Sequence, residues 1–124
     1  MATEREHLHQ AQHNEQFLAT FYLPTTSYLD WAVTVIFYAA LHYIRALAAR
    51  HLFTNISRYG ELDKLFNRLP LFRNNSWVYI DYRQLKDDSR AARYDMRAFS
   101  SQEVTALRDE ELTRIRQFVL AQLA

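Results

Sequence analysis

The chain has 124 residues, of which 49% are hydrophobic and 15% aromatic, which is enough apolar material for one core but too short for two ordinary domains. One glycine and two prolines leave few turn signals, which argues against a barrel or sandwich of short strands and favours an all-α fold. The absence of cysteine excludes disulfides and a thiol nucleophile, and a net charge of +1 leaves any nucleic-acid binding to local clusters of Lys and Arg.

Hydrophobic periodicity predicts a single domain, residues 1–124, that forms a compact bundle of four to five antiparallel helices. Ser27 or Asp30 is expected to cap the second helix, and Ser100 with Glu103 forms a capping box for the fifth. Pro70 ends the third helix. The first predicted helix covers about 4–19, and the second runs from the turn at 23–30 to about 49. The third covers roughly 57–68, the fourth runs from near 76 through 97, and the fifth runs from 100 to the C-terminus.

The second helix contains the most apolar stretch of the chain. Arg45 cuts this stretch short of the roughly 20 apolar residues that a membrane span needs, so we predict a buried core helix and no membrane partner. At about 100° per residue, the hydrogen-bonding side chains of this helix fall on one narrow seam, namely Thr34, Tyr38, His42 and Arg45. The seam indicates a polar cleft or a dimer interface; the alternative is a seam satisfied by solvent or by neighbouring helices.

The fourth helix carries an apolar stripe beside a basic one. The apolar positions, which are predicted to face the core, are Val78, Tyr82, Leu85, Ala92 and Met96. The basic positions recur at steps of three and four residues: Arg83, Lys86, Arg90, Arg93 and Arg97. Because like charges on one face repel, the stripe indicates anions opposite, either phosphates or carboxylates of another element. A solvated face relieved by nearby aspartates is the alternative.

Three histidines lie close together near the N-terminus. His9 and His13 have the i, i+4 spacing of a metal site, but no HExxH pattern or fixed third ligand accompanies them, so we predict an exposed polar face without metal or other cofactor. His13 and Asn14 could add polar groups to a shared cleft. The polar N-terminus has no signal-peptide pattern, and a cytoplasmic location is expected.

Four segments in matching order resemble the small stand-alone HEPN (higher eukaryotes and prokaryotes nucleotide-binding) proteins: HNEQFL at 13–18, DWAVTVIFYAALHYIRAL at 30–47, SRYGEL at 57–62 and YRQLKDDSRAARY at 82–94. The resemblance implies a helical bundle, usually a homodimer whose helices frame a common groove, that binds RNA or nucleotide. Many members are ribonucleases of toxin–antitoxin or defence systems. A metal-independent ribonuclease with a partner protein encoded nearby is therefore one expectation, and a non-catalytic protein-interaction module is the alternative.

The family's nuclease signature is an Arg followed after four to six residues by a His. Arg45 and His51 have this spacing, but they lie earlier than the usual position and would point about 120° apart in a continuous helix, so we interpret the match as accidental. We predict instead a composite site in which His42 and Arg45 are catalytic and meet the fourth helix. The predicted phosphate-binding residues there are Arg83, Lys86, Arg90, Arg93 and Tyr94; the other cleft residues are Thr34, Tyr38, His13 and Asn14.

Overall fold

A computed structural model describes residues 2–51 and 59–124, the side chains at 59–61 excepted. Every element of secondary structure within these ranges is a helix, which confirms the all-α prediction; the predicted start of the third helix at 57–58 lies outside them. The helices are α1 (Glu4–Leu18), α2 (Leu29–Arg50), α3 (Tyr59–Arg68), α4 (Pro70–Arg73), α5 (Ser76–Tyr94), α6 (Ser101–Ala106) and α7 (Thr113–Leu123), and a π-helical segment (Leu107–Leu112) joins α6 to α7.

Helix α2 forms the centre of the bundle and packs against α1, α5 and α7. It is long and apolar enough to cross a membrane, but 78% of its most apolar stretch is buried inside the fold. Ile36, Phe37 and Ile44 have no exposed surface. Burying a side chain of this size stabilises a fold by about 1.5–3 kcal/mol, so α2 has the character of a core helix.

The helix ends follow the sequence signals in two places and depart from them in one. Ser100 and Glu103 form the predicted capping box, and α1 begins with a second box made by Thr3 and Glu6. The predicted cap of α2 is wrong, because the capping position is Tyr28, which makes no side-chain cap hydrogen bond. The helix begins at Leu29, one residue before Asp30, whose carboxylate is then inside the first turn, where the helix dipole favours a negative charge.

Helix α5 ends earlier than predicted, and its end changes two assignments. Val78 and Leu85 face the core as expected, but Met96 is 90% exposed. Met96 has φ of 51°, a left-handed conformation that turns the chain after Tyr94. Arg97 therefore lies outside the helix, and its backbone amide donates to the carbonyl of Ala91. Met96 is thus not a core residue, and Arg97 is not part of the helical basic stripe.

Candidate phosphate-binding site

Between Ala32 and Ala48, helix α2 reaches the surface only at Tyr38, His42 and Arg45, and we call these three residues the α2 strip. The predicted seam also included Thr34, and the structure corrects this assignment. Thr34 is buried, and its hydroxyl donates to the carbonyl of Asp30 in the same helix, so it contributes nothing to a cleft.

The α5 side of the strip is a cavity of about 280 Å³ lined by Phe37, Lys86, Arg90, Arg93 and Tyr94, which we call the basic pocket. Arg93 is held in place by the strip: its Nη1 donates to the Tyr38 hydroxyl at 2.9 Å, and its Nε donates to the Ser89 carbonyl at 3.2 Å. The guanidinium also lies 5.2 Å from the centre of the Tyr94 ring. The pocket is thus a cationic surface beside an exposed aromatic ring.

The five cations of the predicted basic stripe divide into two groups. Three have carboxylate partners, with Arg83 3.3 Å from Asp87, Lys86 3.7 Å from Asp63, and Arg97 bonded to both Asp88 and Glu103. Arg90 and Arg93 have no ion pair with any carboxylate in the described part of the chain. Arg83 also does not line the basic pocket, so the structure separates it from the other predicted phosphate-binding residues.

On its α1 side, the strip meets an open cleft of about 560 Å³, which we call the histidine cleft. Nδ1 of one ring in the His7–His42 pair donates to Nδ1 of the other across 3.1 Å, and the ring centres are 5.3 Å apart. The cleft is lined by Ala2, Glu6, His7, His9, Gln10, His13 and His42. His13 lines the same cleft as His42, while the side-chain oxygen of Asn14 accepts a hydrogen bond from the side-chain amide of Gln10.

The paired imidazoles are uncharged at neutral pH. Burial, together with the nearby His7 and Arg45, lowers the pKa of His42 to about 4. Burial and the charge of Arg45 also lower the pKa of His7, against a weaker opposing influence of Glu6. Arg45 itself has a buried Nε with no hydrogen-bond partner in the residues described. This end of the strip thus holds one uncompensated cation and two neutral rings.

The predicted composite site is divided between these two surfaces. Tyr38 meets Arg93 in the basic pocket, whereas His42 meets His7 rather than the arginines of α5. Sequence reasoning missed His7, although a signal was present: His7 lies on the same face of α1 as the buried Ala11 and Leu18, four and eleven residues later. A histidine on the core-facing side of an amphipathic helix is a candidate for a tertiary contact.

Within the described ranges, no group of three or more His, Asp or Glu side chains is arranged to hold a metal ion. Comparison of the chain with protein-family models, curated proteins and solved structures gives no match in any of the three. The HEPN resemblance and the functions that it implies therefore stay predictions. A functional assignment rests on the geometry of the basic pocket and the histidine cleft.

Proposed function

We propose that this chain is a HEPN-like helical domain that binds the phosphates of RNA or a nucleotide in the basic pocket. The observation that carries the proposal is the unpaired state of Arg90 and Arg93 beside a cavity, in a stripe whose other cations have carboxylate partners. Two neighbouring guanidinium groups without anions repel each other, and a bound phosphate would relieve that repulsion through charge-assisted hydrogen bonds.

The pocket suits a phosphate-containing ligand of limited size. Its volume of about 280 Å³ is at the lower end of small-molecule sites. Tyr94 is 70% exposed beside Arg93, and an exposed aromatic ring next to a cation can stack a base of any sequence. We therefore expect binding with strong salt dependence and little base specificity.

Cleavage of the bound RNA is a separable part of the proposal, with His42 and Arg45 as its residues. A His42 ring whose pKa is about 4 is neutral at pH 7, so it is in the form that can accept a proton from a ribose hydroxyl, although a pKa this far below 7 makes it a weak base. Arg45 supplies a cation beside it. The arrangement therefore supports a general base for metal-independent cleavage more strongly than a general acid that protonates the leaving group.

Binding is tested by fluorescence anisotropy with a labelled single-stranded RNA at low salt. We expect Arg90→Ala/Arg93→Ala to weaken binding at least tenfold, and Arg83→Ala, on the same helix but paired with Asp87, to change it less than twofold. Absence of binding by the unaltered chain, or equal losses in the two variants, would refute the proposal.

Cleavage is tested on the same RNA in the presence of a chelator, with His42→Gln as the inactive variant. Product carrying a 2′,3′-cyclic phosphate, lost in His42→Gln, would support the catalytic part. Intact RNA would remove that part and leave binding alone.

The resemblance adds further elements to the proposal: a homodimer, a cytoplasmic location and a partner protein encoded nearby. Light scattering of the purified chain tests the first of these. A monomer at micromolar concentration would contradict it.

A further inference from the structure

The α2 strip connects the basic pocket to the histidine cleft. Tyr38 bonds to Arg93 at one end, and His42, four residues and about 6 Å further along the helix axis, bonds to His7. Arg45 is a further three residues along, about 10 Å from Tyr38. The two surfaces therefore follow one another along a single exposed line, with α5 on one side and α1 on the other.

The far end of this line holds a cation that has no ion pair. Arg45 has no ion pair with a described carboxylate, and its Nε is buried without a partner. Glu6 lines the cleft, but it is engaged with Thr3 in the capping box of α1. Because the His7–His42 contact uses Nδ1 of each ring, Nε2 of each ring remains without a partner in the described chain. In the neutral pair, the ring that donates through Nδ1 has an unprotonated Nε2, and only the other ring carries its proton on Nε2. One cation and one imidazole N–H are thus available to an anion.

We infer that Arg45, His7 and His42 form a second phosphate subsite, so that a single strand of RNA runs along the α2 strip with one phosphate in the basic pocket and another between Arg45 and the His7–His42 pair, at the edge of the histidine cleft. This inference rests on the proposed function and specifies its ligand as a single-stranded oligonucleotide rather than a free mononucleotide. A narrow cationic groove that follows the backbone is the usual arrangement for sequence-tolerant single-strand binding.

Protonation is coupled to occupancy of this subsite. A phosphate beside His7 and His42 favours their charged forms and so raises both pKa values, which are lowered in the free chain by burial and by Arg45. Affinity for the oligonucleotide therefore increases as pH falls from 7 toward 5. Glu6, His9 and His13 are the other titratable groups that line the cleft.

The test compares uridine monophosphate with an eight-nucleotide oligouridylate by calorimetry. We expect Arg45→Met, which keeps most of the apolar stem, to weaken oligonucleotide binding about fivefold and to leave mononucleotide binding unchanged. Arg90→Ala/Arg93→Ala weakens both ligands. The matched control is Arg50→Met, which removes a cation from the same helix that lines neither cavity and is paired with Glu4, and it should change oligonucleotide affinity less than twofold.

The outcomes separate the two proposals. Equal effects of Arg45→Met on both ligands, or no effect on the oligonucleotide, would overturn the second subsite while leaving the basic pocket intact. No effect of Arg90→Ala/Arg93→Ala on either ligand would overturn the proposed function itself. Circular dichroism of Arg45→Met, with Arg45→Gln as a second substitution, checks that each loss is measured on folded protein.

Discussion

Arginines of this bundle have two kinds of surroundings. Some are held by buried carboxylates: Arg114 makes two hydrogen bonds to Asp81 at 2.8 and 2.9 Å, and Arg97 bonds to Asp88. Others, Arg90 and Arg93, line a cavity and make no ion pair with a described carboxylate. A basic stripe in a sequence therefore does not by itself identify a binding surface, because the neighbouring carboxylates decide which of its cations are available to a ligand.

A second paired arginine contact joins three helices. Glu15 of α1 accepts hydrogen bonds from the Tyr43 hydroxyl of α2 and from Arg116 of α7, the latter at 2.6 Å. Burial and the Glu15 carboxylate raise the pKa of Tyr43, so the hydroxyl stays protonated and continues to donate. This contact ties three helices together, and we assign it to stability rather than to ligand binding.

Removing a structural arginine should have the largest effect. Arg114→Ala leaves the carboxylate of Asp81, which is only 7% exposed, without its partner. Losing one member of a buried ion pair costs about 3–5 kcal/mol, and because Arg114 is itself nearly half exposed we expect about 2–3 kcal/mol here. Urea unfolding measures the change. Arg90→Ala is the control and should stay within about 0.5 kcal/mol of the unaltered chain.

The second-largest effect on stability should come from Arg97, in the turn after α5. Arg97→Ala removes bonds to Asp88 and Glu103 and a guanidinium 4.4 Å from the Phe99 ring, and it should lower the unfolding free energy by about 1–2 kcal/mol. Little change in RNA affinity is expected, because Arg97 does not line the basic pocket. A large loss of affinity with unchanged stability would mean that Arg97 binds the ligand rather than stabilising the fold.

Lowering the pH should reduce the stability of the fold through protonation of His42. The pKa of this ring is about 4 in the folded chain and about 6.5 in the unfolded chain, so the unfolded state binds the proton more readily below pH 6.5. Stability is therefore lost as pH falls from 6.5 toward 4. Because the ring is only about half buried, we expect a loss of about 1 kcal/mol between pH 7 and 5. Unfolding curves of His42→Gln should lack this part of the pH dependence.

The smallest effect should come from Tyr38→Phe. The substitution removes the hydroxyl that holds Arg93 but keeps the ring, whose centre is 5.6 Å from the guanidinium. We expect a stability loss of about 0.5 kcal/mol and a two- to threefold loss of RNA affinity, since Arg93 is then less firmly positioned. Anisotropy and urea unfolding measure the two changes. Unchanged affinity would mean that the Tyr38 hydroxyl does not position Arg93 for the ligand.

The sequence predicted the long helices well because their apolar residues repeat with helical spacing. It did not predict α4, which begins with Pro70 at its first position, or the π-helical segment, where the buried Leu107 and Leu112 are five residues apart. Periodicity describes one helix at a time. Hydrophobic periodicity assigns residues to the faces of a helix, but it does not predict where the adjoining segment of the chain changes direction.

The candidate site was partly predictable for the same reason. Tyr38, His42 and Arg45 share a face whatever surrounds them, and that face proved to be the exposed line of α2. Which groups lie opposite depends on packing between distant segments, such as Asp81 with Arg114, 33 residues apart. Pattern alone therefore could not separate paired from unpaired arginines or join His42 to His7.

The salt dependence of RNA binding tests most directly whether unpaired arginines are the ones that bind phosphate. Each phosphate neutralised on a single strand contributes about 0.7 to the slope of log affinity against log salt, so Arg90→Ala/Arg93→Ala, which removes the one phosphate position of the basic pocket, should reduce the slope by about 0.7. Arg83→Ala, whose cation is paired with Asp87, should leave the slope unchanged. Equal reductions in the two variants would contradict the division of the stripe into paired and ligand-binding cations.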